Sequence, residues 1–126
     1  MPVDQPPYPV NLLVAGRRVL VVGGGAVAAE KARGLLGAGA LVHVVATEVR
    51  AEVRALDVTW EERPYRSGDL AGCWLAVACT DDAATNQAVH DDGEAAGVWV
   101  NAADDPERCS YTLPARFQQG RVLVTV

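Results

Sequence analysis

A run of three glycines follows an apolar segment near the start of the chain. It occupies residues 23–25 within "VLVVGGGAVA", residues 19–28. In a strand–turn–helix unit of this kind, the first glycine permits a tight bend and the second lets a phosphate approach the backbone at the start of the helix. Gly23 and Gly25 suit these two roles, and Ala28 is small enough for the third, packing position. The segment is therefore typical of a dinucleotide-binding turn.

The usual acidic partner of the adenosine ribose is less clearly placed. An Asp or Glu normally ends the second strand, about 20 residues after the turn. Here the second apolar segment, Leu41–Ala46, is followed by Thr47, and Glu48 comes slightly late. From the residues alone, two interpretations stay open: a nucleotide site, or a turn that only connects a strand to a helix.

Two further polar segments follow predicted strands, at the edge where parallel sheets bind ligands. They are residues 80–82, "TDD", and residues 101–106, "NAADDP". Each also has a purely structural interpretation. Thr80 or Asp81 can cap the next helix, and the residue before Pro106 is restricted to an extended conformation that suits a turn. Their position beside the glycine turn favours a functional role.

The order of the apolar and helix-like segments predicts the fold class. Strands are expected at residues 18–22, 41–46, 58–63 (alternating, with one exposed face), 73–80 and 98–102, and helices at 26–36, 48–56 and 82–96. Alternating strands and helices imply a Rossmann-like α/β fold, with a mostly parallel sheet and helices on both faces. Residues 110–117 and 121–126, joined through Gln119-Gly120, predict a C-terminal antiparallel hairpin.

The predicted domain covers residues 10–126 and follows an irregular lead-in over residues 1–9, which holds four of the seven prolines. A chain of 126 residues that is 50% hydrophobic and 21% charged is a single folded domain and not a disordered segment. A net charge of −5 argues against a general nucleic-acid binder, which would need to neutralise phosphates.

The cysteines and the N-terminus exclude other classes. Cys73, Cys79 and Cys109 form no C-x-x-C pair and have no metal-ligand spacing with His43 or His90, so we predict no metal site. Cys73 and Cys79 lie six residues apart in one apolar run, which predicts buried thiols at these two positions. The N-terminus lacks the pattern of a signal peptide, and no apolar run is long enough to span a membrane. We expect a soluble, cytoplasmic protein.

Four segments together resemble the siroheme synthase N-terminal domain family. They are "YPVNL", "VLVVGGGAVAAEKARGLLGAGALVHVVA", "CWLAVACTDDAATNQAV" and "VWVNAADDPERCSYTLPA", and the similarity runs from about Tyr8 to Val126. The resemblance implies NAD+-dependent oxidation of precorrin-2 to sirohydrochlorin. In bifunctional members it also implies a ferrochelatase (lyase) activity that takes Fe2+ as a substrate. Ala102 and Cys79 replace a usual valine and alanine of the family, and neither change affects polar chemistry.

The resemblance also implies site residues. It maps the cofactor contacts to Gly23, Gly24, Gly25, Ala26 and Val27, to Thr47 and Glu48, and to Thr80. The family's motif aspartate falls on Asp104, three residues after Asn101, where it would act as general base and assist metal insertion.

The substrate's carboxylates need cationic partners, for which Arg108, Arg116 and Arg121 are candidates. Members of the family continue with a Ser/Gly-rich loop and a helical region that supplies dimer contacts. We therefore expect this chain to be part of a longer, homodimeric protein.

Two other hypotheses compete with this one. A regulatory nucleotide-sensing module, like those attached to ion transporters, would need the glycine turn but not Asp104. It would also be expected to keep a clear acidic residue at the end of the second strand. An NADP-dependent reductase of other substrates is the third hypothesis. Formation of NADH from precorrin-2 and NAD+ would distinguish the dehydrogenase from both.

Overall fold

Five short strands form one parallel sheet at the centre of the protein. The structure is a computed structural model that describes residues 5–103 and 105–126. In chain order the strands are β1 (Arg18–Val22), β2 (Leu41–Ala46), β3 (Thr59–Glu62), β4 (Leu75–Ala78) and β5 (Trp99–Ala102). Their spatial order is β3-β2-β1-β4-β5, with every neighbouring pair parallel. The order reverses between β1 and β4, so the crevice at their carboxyl ends is the switch point where such sheets bind ligands.

The helices cover both faces of this sheet. They are α1 (Ala26–Gly37), α2 (Ala51–Arg54) and α3 (Ala83–Ala96). Because successive side chains of a strand point to opposite faces, β1 contributes Val19 and Val21 to a core that includes residues of α1 and α2. It contributes Leu20 and Val22 to a second core that includes Val89 of α3. The Rossmann-like fold predicted from the sequence is confirmed.

Small residues let the helices approach the sheet closely. Ala28, Ala29 and Ala32 of α1 are fully buried. On α3, a Cβ atom at Gly93 would lie 2.5 Å from Cγ2 of Val100 and 2.7 Å from the carbonyl oxygen of Val98. Helix and strand are therefore in backbone contact at Gly93.

The ends of two helices differ from the sequence prediction. The N-cap of α3 is Asp82, whose carboxylate accepts from the Ala84 amide at 3.3 Å, and not Thr80 or Asp81. The Thr80 hydroxyl instead bonds to the Asn86 side chain of α3 and to the Asp82 amide. The predicted helix over residues 48–56 is limited to the four residues of α2, because the chain before it is held against the glycine turn.

The C-terminal hairpin is present but shorter than predicted. Strands β6 (Arg116–Gln119) and β7 (Val122–Thr125) pair antiparallel around Gly120, which has a φ of 58°. Residues 110–115 belong to no strand, since Ser110 bonds through its amide and hydroxyl to the backbone of Val100 in β5.

The predicted alternation of β3 is wrong. All four of its residues are exposed, because β3 lies at the edge of the sheet and α2 is too short to cover it. Among the described residues, no helix is long and apolar enough to cross a membrane.

We expect Gly93→Ala to lower the free energy of unfolding by about 1–3 kcal/mol, because the new methyl group would force α3 away from β5. The matched control is Gly37→Ala, where a Cβ meets nothing within 4 Å. That change should leave stability equal or slightly higher, since alanine favours the helix. Urea unfolding of both variants measures the difference; equal stability of the two would contradict the close contact at Gly93.

Candidate functional site

The glycine turn joins the ends of three strands through backbone contacts. The Gly23 amide donates to the Val45 carbonyl of β2 at 3.0 Å, and the Cys79 amide beyond β4 donates to the Val22 carbonyl at 2.9 Å. Gly23 has a φ of +136°, and a Cβ there would lie 2.7 Å from the carbonyl oxygen of Cys79. Both its conformation and its surroundings therefore require glycine.

The middle glycine of the three, Gly24, is required by packing within the protein. A Cβ at Gly24 would lie 2.0 Å from the carbonyl oxygen of Glu48, in the connection between β2 and α2. The Gly24 carbonyl also accepts from the Arg50 amide at 3.0 Å. Gly24 is buried, so its lack of a side chain is explained without a ligand.

The third glycine is different because it has space above it. Gly25 is the N-cap of α1, with extended backbone and no side-chain cap. A Cβ there would have as its nearest neighbours the Cζ, Nε and Nη1 atoms of Arg50, at 3.8–3.9 Å. The first amides of a helix lack partners within the helix and carry its positive dipole end. Ala26 and Val27, both exposed, begin this helix, and the arrangement fits a phosphate group.

The residues after β2 lie beside the same turn. Thr47 and Glu48 are both exposed at the carboxyl end of this strand. The contact between the Glu48 backbone and Gly24 joins them to the glycine turn. The structure thus brings seven of the eight predicted cofactor contacts to one edge of the sheet between β1 and β2, and the eighth, Thr80, follows β4 on the other side of β1.

Thr80 is occupied by contacts within the protein. Its hydroxyl donates to Oδ1 of Asn86 at 2.7 Å and accepts from the Asp82 amide at 3.2 Å. The Asn86 side-chain amide donates back to the Thr80 carbonyl at 3.0 Å. Asn86 therefore fixes the loop that borders the crevice. Asn86 is not among the site residues predicted from the sequence. Its only signal there is a polar side chain in the first turn of a helix, and such residues are common.

Cys79 lies under the glycine turn as a neutral thiol. Burial raises the pKa of Cys79 to about 12, so the thiol keeps its proton at neutral pH. Its Sγ donates to the Val22 carbonyl at 3.4 Å. A protonated thiol is a poor nucleophile. Cys79 therefore serves as a packing residue beneath Gly23. Within residues 5–103 and 105–126, no three His, Cys, Asp or Glu residues are grouped to hold a metal ion.

The predicted general base, Asp104, lies outside the described residues. On one side of it, Asn101 is buried and donates to the Tyr111 carbonyl at 3.0 Å. On the other side, Asp105 forms an ion pair with Arg108. Nε of Arg108 also donates to Gln87 of α3 at 2.7 Å. Asp105 therefore shapes the turn and connects it to α3.

Of the arginines considered for the substrate's carboxylates, Arg108 is already paired within the chain. The Arg116 guanidinium lies near Gly34 of α1, 3.2 Å from the position of a Cβ atom there. Arg121 is exposed in the hairpin turn. The three arginines thus belong to different segments: the short 3-10 helix over Pro106–Arg108, strand β6 and the hairpin turn.

Comparison with known proteins identifies the family. Residues 10–115 match the family model described as "Putative NAD(P)-binding". The chain is 46% identical over 115 residues to a siroheme synthase of Azotobacter vinelandii, covering 88% of this chain and 25% of that protein. It is 39% identical over 124 residues to a siroheme synthase of Nitrosomonas eutropha, covering 94% and 26%.

The fold also matches a solved structure, named SirC, precorrin-2 dehydrogenase. The TM-score is 0.79 at 31% identity, with 94% of this chain and 60% of that chain covered. The chain spans about a quarter of the length of the curated relatives it matches. The resemblance to siroheme synthases is confirmed, and the chain belongs to the NAD(P)-binding family whose model covers residues 10–115.

Proposed function

We propose that the protein oxidises precorrin-2 to sirohydrochlorin with NAD+. The observation that carries this proposal is the open position above Gly25, at the switch point of the sheet, in a chain of an NAD(P)-binding family. The names of its relatives, siroheme synthase and precorrin-2 dehydrogenase, supply the substrate class, a tetrapyrrole. They also favour an enzyme over a regulatory nucleotide-sensing module.

Different residues at the crevice would bind different parts of the cofactor. Gly25, with the amides of Ala26 and Val27, would hold the pyrophosphate. Glu48, with Thr47, would accept hydrogen bonds from the adenosine ribose. Gly23, Gly24 and Thr80 would act by holding the surrounding backbone in place. The bound nicotinamide would supply the hydride acceptor of the reaction.

Asp104 is proposed as the residue that accepts a proton from the substrate. In the sequence it follows β5 by two residues, and its described neighbours are held in place, Asn101 by the Tyr111 carbonyl and Asp105 by Arg108. A carboxylate near the nicotinamide pocket would serve as general base during loss of the substrate's protons. The same group would take up pyrrole protons if Fe2+ is inserted into the product.

The proposal includes three further properties. Fe2+ would be a second substrate in a ferrochelatase (lyase) reaction, and the full-length protein would be a homodimer in the cytoplasm. Their support is the similarity to siroheme synthases over most of this chain. The experiment that tests the main activity is the appearance of NADH absorbance when the full-length protein is mixed with precorrin-2 and NAD+. Absence of NADH would contradict the proposal.

We expect Gly25→Asp to abolish NAD+ binding while leaving the fold intact. The backbone of Gly25 is extended and its Cβ position makes only ordinary contacts, so aspartate fits. Its carboxylate would occupy the phosphate position and pair with Arg50. Calorimetric titration with NAD+ measures the loss, and circular dichroism checks the fold. Gly25→Ala is the control for added volume without charge; undiminished NAD+ affinity of Gly25→Asp would remove this turn from the site.

We expect NAD+ to be preferred over NADP+. The exposed Glu48 carboxylate at the end of β2 would repel a 2′-phosphate and accept from a 2′-hydroxyl. The ratio of kcat/KM for the two cofactors in the full-length enzyme measures the preference. An equal or higher kcat/KM with NADP+ would show that the adenosine ribose is wrongly placed.

We expect Asp104→Asn to lower turnover by roughly 10²-fold or more, which is the scale of a lost general base, while NAD+ binding is retained. Asp105→Asn is the matched control: the Asp105 carboxylate is already paired with Arg108 and so is not free to act as the base, and the asparagine oxygen can still accept a hydrogen bond from Arg108, so turnover should change little. Steady-state dehydrogenase rates of both variants in the full-length protein decide the assignment. A slow Asp105→Asn enzyme beside a normal Asp104→Asn enzyme would reverse the two roles.

A further inference from the structure

Arg50 extends over the opening of the glycine turn. Its backbone is fixed there, because its amide donates to the Gly24 carbonyl at 3.0 Å. Its side chain is exposed, and the guanidinium lies 3.8–3.9 Å from the Cβ position of Gly25, the N-cap of α1. A flexible cation is therefore placed at the start of a 12-residue helix, where the helix dipole is also positive.

Arg54 and Arg63 form ion pairs with carboxylates of the described residues, and Arg50 does not. Arg54 pairs with Glu62 at 2.8 Å and stacks on the Trp60 ring at 4.3 Å. Arg63 pairs with Asp69 at 2.9 Å. Among the described residues, no carboxylate lies within ion-pair distance of Arg50, and its side chain makes no hydrogen bond. Two positive potentials thus converge above Gly25, and no ion pair within the part of the chain that the structure describes offsets the charge of Arg50.

We propose that Arg50 is a cofactor-binding residue that donates hydrogen bonds to the pyrophosphate. This inference rests on the proposed function, since it assumes that a dinucleotide binds at this turn. A guanidinium presents two parallel N–H donors that match two phosphate oxygens. Arg50 supplies a side-chain contact from the β2–α2 connection to a group that the backbone amides of α1 hold from the other side.

The geometry distinguishes the pyrophosphate from the 2′-phosphate of NADP+. An arginine shortly after the second strand often indicates NADP+, because it can meet a phosphate on the ribose. Here the guanidinium lies at Gly25, where the pyrophosphate belongs, and the ribose position follows β2 at Thr47 and Glu48. Arg50 therefore contacts a group that NAD+ and NADP+ share, and it contributes equally to the binding of both.

The test compares Arg50→Gln and Arg50→Lys with the unaltered protein. Arg33→Gln is the matched control, since it removes the same charge from an exposed position on α1. Calorimetric titrations at one salt concentration use NAD+, NADP+, ADP and adenosine. We expect Arg50→Gln to lower the affinity for NAD+, NADP+ and ADP roughly tenfold each, which is the scale of one charge-assisted hydrogen bond. The affinity for adenosine, which has no phosphate, should stay unchanged. Arg50→Lys should lie between, and Arg33→Gln should bind like the unaltered protein.

Two results would overturn the inference while the proposed function stands. One is unchanged NAD+ and ADP affinity in Arg50→Gln when the unaltered protein binds both. The other is a loss of affinity confined to NADP+, which would place Arg50 at the ribose. Failure of the unaltered protein to bind NAD+ would instead contradict the proposed function itself. Thermal unfolding of each variant checks that the fold is retained, and Arg50→Lys preserves the charge if Arg50→Gln proves unstable.

Discussion

The backbone contact at the glycine turn is the constraint on which the rest of the structure depends. Gly23 touches the residue after β4, and Gly24 touches the connection after β2, with no side chain between them. Three strand ends and the start of α1 therefore meet within a few ångströms. Backbone hydrogen bonds join the same glycines to Val45 and Arg50, so the turn that leads into α1 is fixed relative to the sheet. The positive end of that helix consequently lies at the carboxyl end of β1, beside Arg50 of the β2–α2 connection.

The same close approach governs the packing on both faces of the sheet. Ala28, Ala29 and Ala32 line the buried side of α1, and Gly93 lets α3 touch the backbone of β5. Valine and leucine side chains of the strands then fill the two cores. Small residues on the helices and branched residues on the strands thus allow close packing between helix and sheet. The result is a rigid edge of the sheet at which exposed loops carry the polar groups.

The central strands could be predicted because the signal for each one lies within its own short stretch of sequence. A strand buried on both faces is a short run of apolar residues, and β1 and β2 begin and end where those runs do. The ends of other helices and strands could not be predicted in this way, because they depend on tertiary contacts that the periodicity of apolar residues does not show. Ser110 holds its segment against β5, and Asp82 rather than its neighbours caps α3. Exposure of β3 followed from the shortness of α2, a property of the neighbouring element and not of β3 itself.

The site was predictable to the extent that it depends on backbone. A glycine pattern can be recognised in sequence, but it does not show which glycine faces a ligand. In this protein, packing accounts for Gly23 and Gly24, and only Gly25 opens to a space bordered by a cation. Glycine would therefore be expected at the first two positions even in a turn that binds nothing. The argument for a ligand thus depends on Gly25, on the start of α1 and on Arg50, whose position the sequence could not show because it follows from the fold of the β2–α2 connection.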